Sequence, residues 1–321
     1  MTSKVYIVGA GPGEPALITV KGLKILKQAD VVIYDYLVDK RLLDEARPDA
    51  ELICCDALGK KRHSDGFSHA QKLINNLIIK KAKENKRVIR LKNGDPVIFS
   101  RLSQELDALS KEDIEFEIVP GVTAASAAGG FTGVPLTDRN ISSSVVFVTG
   151  HEALGKKQSV LNWKAIAGCG TIALYMAVEH IHKIVCGLIK KGLSEKTPVM
   201  AMSGISSLNQ RIARGRLSNI AKLLKEKNIK SPAVFIIGDV VNFEKRFNWP
   251  RKNRRILFTG LSEERFFMKG TYFHLPLIRI EPLKDYSGLD SYIRGIKVFD
   301  WIVFSSRFGV EYFFKRLKEL G

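Results

Sequence analysis

The chain has 321 residues, 45% of them apolar, and a formal net charge of +18 at pH 7. This length exceeds that of one small domain, so two or three structural units are expected. No apolar run approaches the roughly 20 residues that span a bilayer, which argues against a membrane protein. The positive charge fits nucleic acid, a membrane surface or a polyanionic small molecule as partner. It fits a lysine-rich surface of solvated helix faces equally well.

The cysteines and histidines predict no metal site. The chain contains Cys54, Cys55, Cys169 and Cys186, which form neither a C-x-x-C pair nor metal-ligand spacing. Reduced thiols in a cytoplasmic protein are the simplest interpretation. His180 and His182 stand two residues apart, a spacing that places them on different sides of a helix. The N-terminus enters a strand almost at once, so no signal peptide is expected.

A strand, a glycine loop and a helix open the chain. Residues 5–8 predict a short buried strand, and Gly9, Gly11 and Gly13 follow as a loop in which no side chain blocks the backbone. Helical periodicity runs over residues 17–29. This order indicates a small-molecule site at the carboxyl end of a parallel sheet. The glycine spacing differs from the dinucleotide fingerprint, and alone it fits a plain strand-to-helix turn as well as a cofactor loop.

A second buried strand is predicted over residues 30–37, with Asp35 at its carboxyl end. A carboxylate there faces the crevice in which open α/β sheets bind ligands. The alternative is that Asp35 caps the next helix, a common position for aspartate after a strand. The other elements predicted for this half are strands over 51–55, 87–91 and 115–119 and a helix over 68–84.

Two later stretches allow a ligand to approach the backbone. The turn Lys92-Asn-Gly-Asp-Pro96 contains Asn93 and Gly94, which both tolerate left-handed conformations. Residues 120–130 are mostly Gly and Ala, and small residues on a helix let another backbone or a flat ligand come close. A tightly packed core helix is the alternative, and the residues alone favour it.

The remaining chain predicts a second α/β half and a shorter third unit. The predicted strands cover 144–149, 171–176, 197–202 and 233–237, with helices over 181–191 and 217–228. Residues 245–255 are expected to form a charged linker. The third unit is predicted to contain strands over 255–259 and 301–304 and a helix from Phe308 to the last residue. So few elements are typical of part of a domain.

Taken together, the turns of the first 243 residues resemble one family. The motifs are Val-Gly-Ala-Gly-Pro-Gly-Glu-Pro, Val-Val-Ile-Tyr-Asp-Tyr-Leu-Val, Leu-Lys-Asn-Gly-Asp-Pro-Val-Ile-Phe, Pro-Gly-Val-Thr-Ala-Ala-Ser, Val-Pro-Leu-Thr, Val-Thr-Gly-His and Leu-Tyr-Met, in this order. Several ordered motifs at fixed spacing are far more specific than any one of them. On these residues the chain resembles the tetrapyrrole methylases.

The resemblance implies an α/β protein with the two-lobed tetrapyrrole methylase fold, followed by a partial α/β domain. The lobes would cover residues 1–137 and 138–245, and the partial domain residues 251–321. A homodimer with S-adenosylmethionine between the lobes is implied, without metal, nucleic acid or membrane. The implied reaction adds two methyl groups to ring carbons of the anionic tetrapyrrole uroporphyrinogen III, giving precorrin-2 on the branch to sirohaem and cobalamin.

The resemblance also assigns site residues. Positions matching cofactor contacts are Pro12, Asn93, Gly94, Asp95, Ile98, Thr123, Ala124, Met176 and Gly204. Asp35 matches the general base and Lys60 a basic residue beside the substrate, and with Met176 they form the expected catalytic set. Arg101 and Arg139 are candidate partners of substrate carboxylates. For Met176, ordinary packing at the end of a buried strand is the alternative.

The chain departs from the family pattern in three places. Asn93 replaces the first glycine of Lys-Gly-Gly-Asp-Pro, and Asn accepts positive φ better than most residues. Ser100, Leu102 and Ser103 replace three glycines of Gly-Arg-Gly-Gly-Glu-Glu, which questions how closely that segment can approach a ligand. Asp138-Arg139-Asn140 stands where His-Arg-Asp is common, a change that could alter substrate choice or rate.

The tail carries a second resemblance, and rival functions remain. The motifs Pro-Leu-Ile-Arg-Ile-Glu-Pro and Phe-Asp-Trp-Ile-Val-Phe-Ser-Ser-Arg-Phe-Gly-Val resemble about the first third of uroporphyrinogen-III synthase. We expect no synthase activity from residues 251–321. The rivals are a precorrin or ribosomal RNA methylase of the same fold, and a non-catalytic protein that binds tetrapyrrole or S-adenosylmethionine.

Overall fold

The computed structural model describes residues 4–55, 66–150, 160–207, 209–252, 255–261, 271–278 and 280–321. The chain divides into two compact units, Met1–Lys252 and Asn253–Gly321. The first unit is built on two five-stranded sheets, and the second contains a two-stranded sheet. Among the described residues, no helix combines the length and apolar character needed to span a membrane.

The first sheet is entirely parallel, in the order β3-β2-β4-β1-β5. Its elements are β1 (Val5–Gly9), α1 (Val20–Leu26), β2 (Val31–Tyr34), α2 (Lys40–Leu43), β3 (Glu51–Cys54), α3 (Gly66–Lys83), β4 (Val88–Lys92), α4 (Leu102–Lys111) and β5 (Phe116–Val119), with a 3-10 turn over Pro15–Leu17. Parallel strands need crossover connections, so helices cover both faces. One buried apolar cluster contains Leu26 and Leu42, and the other contains Ile78 and Leu109.

The second sheet is mixed, in the order β6-β7-β10-β8-β9. Strands β6 and β7 are parallel, whereas β10 runs antiparallel to both β7 and β8, and β9 antiparallel to β8. Its elements are α5 (Ala124–Gly130), β6 (Val145–Thr149), α6 (Trp163–Ala167), β7 (Thr171–Tyr175), α7 (Ile181–Lys190), β8 (Pro198–Ser203), β9 (Arg211–Arg216), α8 (Ile220–Glu226) and β10 (Ala233–Ile237), with 3-10 turns over Val178–His180 and Asp239–Phe243.

Helix α5 follows the last strand of the first sheet but packs against the second. Ala125 and Ala128 are buried in one cluster with Met200, Met202 and Ile236. The interpretation of residues 120–130 as a closely packed helix therefore holds for the buried face of α5. Because α5 shares this core, the two sheets belong to a single unit. The lobe boundary at residue 137 stays a prediction.

The expected linker was wrong for residues 245–252. Two short helices, α9 (Glu244–Phe247) and α10 (Trp249–Lys252), lie there. The indole Nε1 of Trp249 donates to the carbonyl oxygen of Gly130 at 2.8 Å, and its ring stands 6.1 Å from that of Phe131. Aromatic packing and a satisfied indole N–H hold this segment on the first unit. The many charged residues of the segment had led to the linker prediction.

The second unit contains β11 (Arg255–Phe258), β12 (Thr271–His274), α11 (Ser287–Arg294) and α12 (Arg307–Leu320), with a 3-10 turn over Ile296–Val298. The two strands are parallel. The predicted helix near the end of the chain is confirmed, since Ser306 caps α12 by accepting from the N–H of Gly309 at 3.1 Å. The strand predicted over 301–304 was wrong: this segment is irregular, and Trp301 is 86% exposed.

Candidate active site

Three turns at the carboxyl edge of the parallel sheet are joined through their backbones. The N–H of Ala10 donates to the carbonyl of Lys92 at 2.8 Å, and Gly11 and Gly94 exchange hydrogen bonds of 3.2 and 2.8 Å. The loop after β1 and the turn after β4 are therefore one paired structure. The apolar runs that make β1 and β4 neighbours bring these glycines together, because parallel strands end at the same edge.

The third turn, after β5, presses against the other two. A Cβ on Gly9 would lie 2.6 Å from the Cα of Gly121, and a Cβ on Gly121 would lie 2.3 Å from the carbonyl oxygen of Gly94. Glycine at both positions is thus required by close approach of one backbone to another. Gly94 itself differs: its φ is +68°, and a Cβ there would meet no atom within 4 Å. The joined turns therefore leave an open space over Gly94.

The second sheet supplies a loop that reaches the same place. The Oγ of Ser206 accepts from the N–H of Glu14 at 2.9 Å, and a Cβ on Gly13 would lie 3.0 Å from the carbonyl oxygen of Ile205. Ser206 is buried with φ +61°, and its N–H donates to Oε1 of Gln210 at 3.0 Å. These contacts place the loop of Gly204 beside the loop of Pro12.

Tyr175, the last residue of β7, connects the second sheet to the start of α5. Its hydroxyl lies 2.7 Å from Oγ1 of Thr123 and accepts from the N–H of Ala125 at 3.1 Å. Thr123 makes no side-chain cap of its own, so Tyr175 satisfies a helix N–H in its place. Burial raises the pKa of the tyrosine hydroxyl, which keeps it a neutral donor and acceptor.

Met176 follows Tyr175 and does not pack in the core. Its side chain is 49% exposed and its φ is +51°, a conformation uncommon for a residue other than glycine. Ordinary core packing is therefore not its role. The ring of Tyr175 stands 5.2 Å from that of Phe99 on the turn after β4. Met176 thus leaves its strand next to the residues that join the two lobes.

Asp35 lies at the carboxyl end of β2, on the same edge. Its Oδ1 pairs with the guanidinium of Arg90, and its Oδ2 accepts from the N–H of Asn93 at 3.0 Å. Burial pushes the pKa of Asp35 upward, but the positive charges of Arg90 and Lys92 outweigh it and hold the pKa below its ordinary value. Asp35 is not a helix cap, because α2 is capped by Asp39.

Ser100, Leu102 and Ser103, which replace three glycines of the family pattern, cause no conflict with the backbone conformation. Leu102 and Ser103 lie in the first turn of α4, whose right-handed conformation suits any ordinary residue. The left-handed residues of the segment are instead Phe99, with φ +49°, and Arg101, with φ +61°. Ser100 donates its hydroxyl to the carbonyl of Pro96. The substitutions therefore allow the turn to form.

The structure brings together the turns that carry most of the predicted site residues. Those on or next to the joined turns are Pro12, Asp35, Asn93, Gly94, Asp95, Ile98, Arg101, Thr123, Ala124, Met176 and Gly204. Arg139 is exposed in a separate turn closed by Asp138 and Ser142, and it takes no part in these contacts. Lys60 lies outside the described residues. The roles assigned to these residues stay predictions.

Sequence reasoning missed Arg90, Glu105, Tyr175 and Ser206. Arg90 carried a signal, because a charge inside an apolar strand must find a buried partner. No sequence pattern indicated Tyr175 or Ser206, since their contacts join residues that are 52 and 192 positions apart. Among the described residues, no group of three or more His, Cys, Asp or Glu side chains is placed to hold a metal.

Comparison with known proteins shows which family the chain matches. Residues 4–221 match the family of tetrapyrrole (corrin/porphyrin) methylases, and residues 268–321 match uroporphyrinogen-III synthase. A uroporphyrinogen-III C-methyltransferase from Priestia megaterium is 43% identical over 241 residues, 75% of this chain and 99% of that protein. A siroheme synthase from Psychrobacter cryohalolentis is 41% identical over 247 residues, 77% of this chain and 46% of its own length.

A solved structure shares the fold. The Thermus thermophilus uroporphyrin-III C-methyltransferase complexed with S-adenosylhomocysteine superposes with a TM-score of 0.63 and 32% identity. The match covers 75% of this chain and 99% of that one. Both family and fold predictions are confirmed by the sequence matches and by this structure. The chain belongs to the tetrapyrrole methylases.

Proposed function

We propose that this protein transfers methyl groups from S-adenosylmethionine to two ring carbons of uroporphyrinogen III, giving precorrin-2. The observation that carries the proposal is the open space over Gly94, where three backbone turns of the parallel sheet are joined and the first of them contacts the loop of Gly204. The match to a uroporphyrinogen-III C-methyltransferase over 99% of that protein supports the same reaction.

The joined turns suit a flat, polar donor. Backbone N–H and C=O groups of the turns at Pro12 and Gly94 can approach a ligand without side chains intervening. We assign donor contacts to Pro12, Asn93, Gly94, Asp95, Ile98, Thr123, Ala124, Met176 and Gly204. S-adenosylmethionine supplies an electrophilic methyl group on a sulfonium. Fixing that methyl in line with a nucleophilic carbon supplies much of the acceleration, since the chemistry needs little covalent help.

Asp35 acts on the charge that forms in the macrocycle. A ring carbon that gains a methyl cation leaves positive charge on the tetrapyrrole until a proton departs. The lowered pKa of Asp35 makes it a weak base but keeps it an anion. Stabilisation of this cation by a fixed carboxylate is therefore its main contribution. Transfer of the departing ring proton to Asp35 can follow as a second step.

The edge also offers apolar surface for a macrocycle. Tyr36 and Leu37 follow Asp35, and Val97 and Phe99 follow Asp95, and all four side chains are at least 42% exposed. Since β2 and β4 are neighbours, these side chains project from adjacent turns. We assign the carboxylates of the substrate to Arg101, Arg139 and Lys60, and the positive net charge would raise its local concentration.

We further propose a cytoplasmic homodimer that needs neither nucleic acid nor a membrane. Size-exclusion chromatography with light scattering tests the dimer, and a monomer would contradict it. A steep loss of RNA binding with salt would favour the ribosomal RNA rival. Strong binding to anionic vesicles would contradict the absence of a membrane partner.

The decisive assay incubates the protein with S-adenosylmethionine and uroporphyrinogen III under anaerobic conditions and weighs the product. A gain of two methyl groups is expected. A single methyl group would mean that the second transfer is lost, and donor binding without turnover would support a binding protein. We expect no cyclisation of hydroxymethylbilane by residues 251–321, and appreciable turnover would contradict this expectation.

A further inference from the structure

A buried group of charges lies directly beneath Asp35. Arg90 and Lys92 on β4 are 3% and 2% exposed, and Glu105 on α4 is 1% exposed. β4 is the central strand of the sheet. Charges this deep are costly unless each is paired. With Asp35, the group contains two cations and two anions, so it is neutral as a whole.

The guanidinium of Arg90 is bound on every side. Its Nε donates to Oε1 of Glu105 at 3.1 Å, and its Nη1 donates to the carbonyls of Ile33 and Leu91 at 3.4 and 3.2 Å. Its Nη2 donates to Asp35. A planar fork bound at all three nitrogens has a single orientation. Arg90 is therefore a fixed support for the carboxylate above it.

Glu105 anchors this support from the helix layer. Its Oε1 also accepts from Nζ of Lys92 at 2.9 Å and from the amide of Gln71 at 3.4 Å. The carbonyl oxygen of Lys92 in turn accepts from the N–H of Ala10 in the first loop. The same strand residue thus connects the ion pairs below with the joined turns above.

Asp35 is held between this support and the turn after β4. Arg90 binds one carboxylate oxygen, and the N–H of Asn93 binds the other. Its side chain keeps 30% exposure, so it still faces the open edge. The arrangement fixes both the position of the carboxylate and its direction relative to Gly94.

We propose that Arg90, itself fixed by Glu105, is a positioning residue that holds the Asp35 carboxylate toward the methyl-transfer site. This inference rests on the proposed function for its effect on rate, whereas the hold on Asp35 is independent of substrate. Replacement of buried ion pairs by apolar residues is often neutral for stability, so stability alone gives little reason for charges here. The need to fix a reacting carboxylate does give a reason for buried charges at this place.

The test uses the full chain with Arg90→Met and Arg90→Lys. Arg47→Met is the matched control, because Arg47 pairs on the exposed surface with Asp30, 2.8 Å away. Asp30 lies at the amino end of β2, and Asp35 lies at the carboxyl end of the same strand. The charged and titratable groups around Asp35 are Arg90 and Lys92, which act on its carboxylate, and Cys55, whose thiol the charge of Asp35 influences. The readouts are the pKa of Asp35 by carboxyl 13C NMR, donor affinity by calorimetry, and kcat as a function of pH.

In Arg90→Met we expect the pKa of Asp35 to rise by at least about one unit and kcat to fall at least about tenfold, with donor Kd changed less than about threefold. The remaining rate should increase with pH as Asp35 ionises. Arg90→Lys keeps the charge but not the fork, so the pKa of Asp35 should stay low while kcat still falls. Arg47→Met should match the wild type in all three.

Several outcomes would overturn the proposal. An unchanged pKa of Asp35 in Arg90→Met would mean that Arg90 does not hold it. An Arg90→Met protein with wild-type kcat, or one whose donor affinity falls as much as its rate, would mean a merely structural role. If Arg90→Met fails to fold, an Arg90→Lys protein with wild-type kcat would overturn it. A wild type without turnover would refute the proposed function, and the NMR readout would still decide whether Arg90 holds Asp35.

Discussion

Gly94→Ala places one methyl group in the space where the donor is proposed to bind. A Cβ at this position meets no protein atom within 4 Å, so the substitution creates no clash inside the protein. The backbone at Gly94 is left-handed, with φ +68°. The substitution therefore separates two effects: a known backbone cost in the free protein, and obstruction of whatever lies over the turn.

The backbone cost is about 1–2 kcal/mol, the penalty of an L-residue in the left-handed region. The free energy of unfolding should fall by this amount. If the donor lies against Gly94, the methyl group must displace it, and affinity should fall at least about tenfold, or about 1.4 kcal/mol. The loss of donor affinity comes in addition to the loss of stability, because the methyl group obstructs the donor only in the complex.

Gly192→Ala is the control. Gly192 follows α7, has φ +103° and also offers open space to a Cβ, but it lies outside the joined turns. Both variants should lose similar stability in urea unfolding, and only Gly94→Ala should lose affinity for S-adenosylhomocysteine in calorimetry. If Gly94→Ala binds as tightly as the wild type, the donor does not occupy the space over Gly94.

Three further substitutions test the site. Tyr175→Phe removes two hydrogen bonds at the start of α5, so the free energy of unfolding should fall by about 1–3 kcal/mol and the donor KM should rise. Unchanged values would refute the role of Tyr175 in joining β7 to α5. Gly121→Ala brings a Cβ to 2.3 Å from the carbonyl oxygen of Gly94. Thermal unfolding should therefore show that the free energy of unfolding falls by about 1–3 kcal/mol, and calorimetry should show weaker donor binding. A variant that is neutral in both measurements would contradict the close packing of these turns. Asp35→Asn should lower kcat about 100-fold without abolishing donor binding, and near-wild-type kcat would exclude a catalytic role. Burial raises the pKa of Asp35, but the charges of Arg90 and Lys92 outweigh burial and hold this pKa below its ordinary value. The wild type should therefore keep its stability advantage over Asp35→Asn above the ordinary carboxyl pKa, and lose it as pH falls from there through the lower folded-state pKa. An advantage already lost at pH 6 would contradict this sign.

Much of the first unit follows from local patterns. The uncharged run before Gly9 and the run that ends at Tyr34 gave strands close to those observed, because buried parallel strands are continuously apolar. Strand β9 was missed, since Arg211, Arg214 and Arg216 hide an edge strand that needs apolar residues on one face only. The opposite error occurred at Trp301, where an apolar run formed no strand.

The charge group beneath Asp35 shows why the site was only partly predictable. The position of Asp35 at a strand end was visible in the sequence. Its partners were not, because Arg90 lies 55 residues away and Glu105 another 15 beyond. Pairing of this kind depends on which strands become neighbours, and the order β3-β2-β4-β1-β5 is set by the packing of the whole sheet.

The most direct measurement is a crystal structure of this protein with S-adenosylhomocysteine. The account predicts the ligand over Gly94, in contact with the loops of Pro12 and Gly204 and with Thr123 and Met176, and with its sulfur facing the edge that carries Asp35. A ligand bound away from the joined turns, with the space over Gly94 left to solvent, would contradict the account.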